Sequence, residues 1–108
     1  MQKLIKIVKA LIKDEYCRAS KMYGPFHYAD HQSVAVLAEE VDETRDELGD
    51  VINKCEEFWK LVKSDAPDDK KKSVLRSIKH SATLTACEAI QVAAMAYKAE
   101  LTINNRGE

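Results

Sequence analysis

The sequence has little glycine and less proline, three and two in 108 residues. Few positions are free to adopt a positive φ or forced to interrupt a hydrogen-bond ladder, so a fold built on many tight turns is excluded. Cysteine is scarce as well. Cys17, Cys55 and Cys87 are odd in number, widely spaced and form no Cys-x-x-Cys pair, which argues against a disulfide framework and a zinc knuckle. They read as small core hydrophobes in a reducing cytosol, so a cytoplasmic protein is expected. No stretch approaches ~18 consecutive apolar residues, the length a membrane span needs. The alternation of lysine with aliphatics from Lys3 to Lys9 offers no signal-peptide core. A net charge of −1, from 17 basic and 18 acidic residues, gives no general attraction to nucleic acid or to an anionic membrane. No Glu-x-x-His pair is present, which removes a di-iron carboxylate bundle.

What fills the chain instead is strong helix formers, and a single all-α domain over residues 1–108 is expected. A first helix is predicted over Gln2–Met22, with Leu4, Ile5, Val8, Leu11, Ile12 and Tyr16 as its core face and Tyr23-Gly24-Pro25-Phe26 ending it. Asp30 suits an N-cap for a second helix from His31 to about Lys63. Its apolar face comprises Val34, Leu37, Val41, Leu48, Val51, Ile52, Cys55, Phe58, Trp59 and Val62. Gly49 is the weak point of that helix, costing ~1 kcal/mol against alanine, and a kink there stays open. Ser64-Asp65-Ala66-Pro67 is the clearest break. A third helical stretch follows, with Asp68 and Asp69 complementing its N-terminal dipole. The pattern leaves open whether Ser73–His80 is continuous with the apolar helix that runs to about Ile103. The polar end from Asn104 is expected to fray.

The stretch Ala82–Tyr97 organises the chemistry. Glu88 is its only carboxylate and Gln91, one turn on, its only amide. At helical spacing Leu84, Glu88, Gln91 and Met95 share a stripe. A helix this uniformly apolar is expected to be largely buried, and a carboxylate taken from water needs a cation or hydrogen-bond donors. A second acidic feature is Glu39-Glu40-x-x-Glu43, whose Glu40 and Glu43 lie one turn apart, with Glu40 at the edge of the apolar face. Brought together with Glu88, these carboxylates repel unless they hold protons or a multivalent cation. Oxygen ligands without histidine or cysteine favour Mg²⁺, with Mn²⁺ as an alternative, over zinc. The plain alternative is a solvated acidic face for Glu40 and Glu43, and for Glu88 an ion pair with Lys54, Lys79 or His31.

These blocks resemble a known group. Glu39-Glu40-x-x-Glu43 followed by a second helix bearing Glu88-Ala89-Ile90-Gln91-Val92-Ala93-Ala94-Met95-Ala96, together with Gly24-Pro25-Phe26-His27 and His31–Glu40, is similar to the all-α nucleoside triphosphate pyrophosphohydrolases of the MazG-like superfamily, in particular short phage or prophage members. The resemblance covers roughly Tyr16–Glu100. It implies a four-helix bundle completed by oligomerisation, as a dimer or tetramer, and Mg²⁺-dependent cleavage of a nucleoside triphosphate to monophosphate and pyrophosphate in nucleotide-pool housekeeping. By the same resemblance Glu40, Glu43 and Glu88 hold the metal and Glu39 is an assisting acid.

Gln91 departs from the family, which usually has aspartate there. A neutral amide offers one carbonyl oxygen but lowers the negative charge, so metal binding should weaken. The alternative reading is accordingly a catalytically degraded MazG-like helical module serving oligomerisation or partner binding. Glu47-Leu48-Gly49-Asp50 imitates the second motif, but it begins four residues after Glu43, too soon for the chain to turn back. Glu47 and Asp50 are therefore secondary ligand candidates. Lys54 and Lys98 are candidate phosphate contacts, although each reads as readily as a surface lysine, and Trp59 is a candidate base-stacking residue that reads equally as core.

Overall fold

The computed structural model describes residues 1–106 and places three helices: α1 (Gln2–Tyr23), α2 (Asp30–Lys63) and α3 (Asp68–Arg106). The described residues are all-α, and none of their helices is long and apolar enough to cross a membrane. Gly49 does not interrupt α2, and α3 runs unbroken through Ser73–His80. Asn104, Asn105 and Arg106 do not fray as expected but continue α3. Arg106 reaches back to Asp30 at 2.9 Å, an ion pair that holds this end. Gly107 and Glu108, the rest of the expected tail, lie outside the described residues.

The chain divides into two compact units. The first joins Met1–Val41 to the stretch from Glu88 onward. Its core is Ala19, Ala94 and Met95, with Ile12, Tyr16, Val36 and Leu37 against them. Small residues at 19 and 94 let α1 approach α3, and Tyr16 meets Tyr97 edge to face at 4.9 Å, the favoured geometry for opposed ring quadrupoles. The connection from α1 to α2 is held from both sides. Tyr16 donates to the Pro25 carbonyl at 3.0 Å, and the His27 amide donates to Thr102 Oγ1 at 2.9 Å.

Gly24 starts this connection at φ 87° and ψ 162°, a region essentially closed to side chains. A Cβ built there meets nothing within 4 Å. Gly24→Ala should therefore cost about 1–3 kcal/mol through backbone strain alone, read as a lower midpoint in chemical denaturation. An unchanged midpoint would mean that the segment adopts another conformation.

The second unit, Asp42–Cys87, is a helical hairpin. Its turn closes as a Schellman motif: Ala66 N–H donates to Leu61 O at 3.0 Å and Asp65 N–H to Val62 O at 3.2 Å, with Asp65 at φ 53°. That is the left-handed position where glycine is commonest and a short polar side chain is tolerated. Lys54 Nζ donates to Ser81 Oγ across the hairpin at 2.8 Å.

The single apolar face expected for α2 is split here. The half-buried stripe is Thr44, Glu47, Val51, Lys54, Phe58 and Leu61, three of them polar. Leu48, Ile52, Cys55, Trp59 and Val62 point outward and are exposed, Ile52 at 52 % and Trp59 at 57 %. A hairpin of two helices has only one seam, so an apolar arc wider than that seam stays uncovered. Three other expectations are corrected as well. Leu4, Ile5 and Leu11 of α1 are exposed. All three cysteines are exposed and do not serve as core. The stretch around Glu88 is not largely buried, since Ala82, Leu84, Ala86 and Ala89 are exposed and Glu88 is half-buried.

Candidate functional site

Glu40 sits on α2 and Glu88 on α3, both half-buried, and Glu43 follows Glu40 by one helical turn and is exposed. Each offers a carboxylate oxygen such that all three lie within 4.8 Å of one another. The donor set is all oxygen and carries up to three negative charges, the composition that suits a hard divalent cation. The residues present thus fit such a metal. Glu47 and Asp50 are not part of this cluster.

Glu40 also lines a pocket of about 710 Å³ in the first unit, walled by Glu39, Gln91, Met95 and Lys98 from the helices and by Tyr23–Tyr28 from the connection. This volume falls in the range of small-molecule sites, roughly 300–1,000 Å³. Glu39 is exposed on its wall. Tyr23, Phe26 and Tyr28 present exposed rings around it. Gln91 lies on the same stripe of α3 as Glu88 and is half-buried, with its amide near enough to Glu15 to favour the ionised carboxylate slightly. Glu15 is held below the usual carboxylate range first by its hydrogen bonds from Arg18, with Gln91 contributing least. Arg18, at the pocket's edge, is correspondingly raised by Glu15.

Lys98 departs most from expectation. It is not a surface lysine but 5 % exposed, in the pocket wall. Burial lowers its pKa. His27, likewise buried at 6 %, shares its Nδ1 with Ser33 Oγ at 2.6 Å, while Nε2 has no hydrogen-bond partner. Burial, and next the charge of Lys98, push the His27 pKa down. The unfolded chain therefore binds a proton at His27 more readily than the folded one. Stability should rise with pH between the lowered folded value and the ordinary value near 6.5. It should be lost as pH falls through the folded value. Thermal midpoints across this window should show that slope in the wild type and a shallower one in His27→Gln; equal slopes would contradict it.

Lys54 and Trp59 do not line the pocket. The first is held by Ser81, and the second lies under Lys63, whose Nζ is 5.4 Å from the ring centroid. Sequence reasoning assigned no site residue to the connection. His27 lies in a loop, where no periodicity reports which way a side chain faces. No family model, curated protein or solved structure matches the chain.

Proposed function

We propose that this protein is a Mg²⁺-dependent nucleoside triphosphate pyrophosphohydrolase of the MazG-like type, releasing a nucleoside monophosphate and pyrophosphate. The observation that carries the reading is the convergence of Glu40, Glu43 and Glu88 within 4.8 Å beside a nucleotide-sized pocket that shares Glu40. A divalent cation, if held by these carboxylates, would supply charge neutralisation for phosphate and help activate water. The chain's own groups do the rest. Glu40, Glu43 and Glu88 would hold the cation. Glu39, exposed on the pocket wall, accepts a proton from the attacking water. The rings of Phe26 and Tyr28 offer faces for a base. Pyrophosphate release that appears with Mg²⁺ and vanishes with a chelator tests the reading; no release from any nucleotide by the folded protein would reject it.

The proposal includes completion of a four-helix bundle by a second copy. In support, the hairpin Asp42–Cys87 has no buried hydrophobic residue, its one buried residue being Ser81. Its exposed Leu48, Ile52, Cys55, Trp59 and Val62 are spaced four, three, four and three apart, the seam of a helix that packs on another helix. Asp42–Lys63 carries seven acidic and four basic residues, and Asp68–Cys87 carries two acidic and five basic. A second hairpin laid with its α3 against this α2 therefore pairs opposite charges.

A further inference from the structure

We propose that Lys98 and His27 form a phosphate-binding site in the buried wall of the pocket, one that works without a metal. Both side chains are more than nine-tenths buried and both line the cavity. Among the described residues no carboxylate pairs with the Lys98 ammonium, and burial is the single cause of its lowered pKa. The neighbouring His27 Nε2 is without a partner. A buried cation with no counter-charge is costly to the fold, and an anionic ligand removes that cost by giving both groups an acceptor. Arg18, the other cation of the pocket, is already committed to Glu15, with Nε 2.9 Å from Oε2.

Lys98 lies further along α3 than Glu88 of the carboxylate cluster, whose Glu40 lines the same pocket. Glu88, Gln91, Met95 and Lys98 follow one stripe of α3, and ten residues at ~1.5 Å each set the backbone of Lys98 roughly 15 Å along the axis from that of Glu88. The stripe thus runs from cation-binding oxygens through an amide and a thioether to an ammonium. A tetrahedral phosphate, with several acceptor oxygens, can take donors from both Lys98 and His27, and charge-assisted bonds to it are the strong kind. The inference deepens the nucleotide reading by giving the ligand a second anchor, and it rests on that reading only for the phosphate's source.

The test is binding to the intact protein in chelator, by calorimetry and by the ring-proton resonance of His27. Inorganic phosphate, pyrophosphate, a nucleoside and its 5′-monophosphate are compared in the wild type and Lys98→Met. Phosphate compounds should bind, move the His27 resonance and lose at least about tenfold in affinity in Lys98→Met. Phosphate alone binding as well as the monophosphate would name free phosphate as the source; a tighter monophosphate would name the nucleotide, and either supports the site. Equal binding in Lys98→Met, no binding by the wild type, or a nucleoside binding as tightly as its monophosphate would overturn it. Should Lys98→Met fail to fold, the His27 resonance in the wild type decides alone: no movement with phosphate overturns the proposal. Because metal is absent throughout, a protein that hydrolyses nothing can still pass, and an active enzyme can still fail.

Discussion

Glu88→Gln should abolish metal-dependent hydrolysis while the metal-free protein becomes harder to unfold. Glu40, Glu43 and Glu88 each offer a carboxylate oxygen within 4.8 Å of the others, and like charges this close repel when no cation lies between them. Replacing one by an isosteric amide removes part of that repulsion, and a gain of about 1 kcal/mol in chelator is the expected size. With excess Mg²⁺ the order reverses, because the wild type gains stability from a ligand bound only to the folded state and the variant gains less. Loss of a direct ligand should lower turnover more than the roughly 10–100-fold typical of groups that merely support one. If Glu88 instead serves only an ion pair, the same change should lower stability by orphaning its partner, and Mg²⁺ should make no difference to either protein.

Ile52→Lys is expected to be equally severe for a different reason. On an isolated chain Ile52 is 52 % exposed, and a substitution at such a position usually changes stability by no more than about 0.5 kcal/mol. In the middle of a helix seam covered by a second copy, the same lysine meets an apolar partner and costs about 2–3 kcal/mol per chain. Sedimentation should show the wild type associating and the variant as a monomer, with the wild type's thermal midpoint rising with concentration. A monomeric wild type, or a variant that associates equally well, would leave the exposed seam without this partner.

Helix positions were legible because so few glycines and prolines interrupt the periodic pattern. Gly24 and Pro67 lie at breaks that the structure keeps, and helical spacing placed Glu40 and Glu43 one turn apart, while joining Glu88 to them came from the resemblance and not from spacing. Which part of the α2 apolar arc meets its own chain was not. Periodicity fixes that Val51, Phe58 and Leu61 lie to one side of Ile52 and Trp59, but both sides are apolar. The choice depends on the hairpin angle and on polar neighbours such as Lys54, which Ser81 draws inward. Lys98 shows the opposite situation. Its register with Glu88, Gln91 and Met95 was available in the sequence, yet lysine type outweighed position. His27 left no periodic signal because its burial comes from bonds to Thr102 and Ser33, 75 and 6 residues away in the chain.

The central claim is tested most directly by identifying the products formed from a panel of ribo- and deoxynucleoside triphosphates with Mg²⁺. Phosphorus NMR separates the two outcomes without a coupled enzyme. A nucleoside monophosphate and pyrophosphate in equal amounts, from at least one nucleotide and only with the metal, is the predicted result. A nucleoside diphosphate with orthophosphate, or unchanged nucleotides throughout, would contradict it.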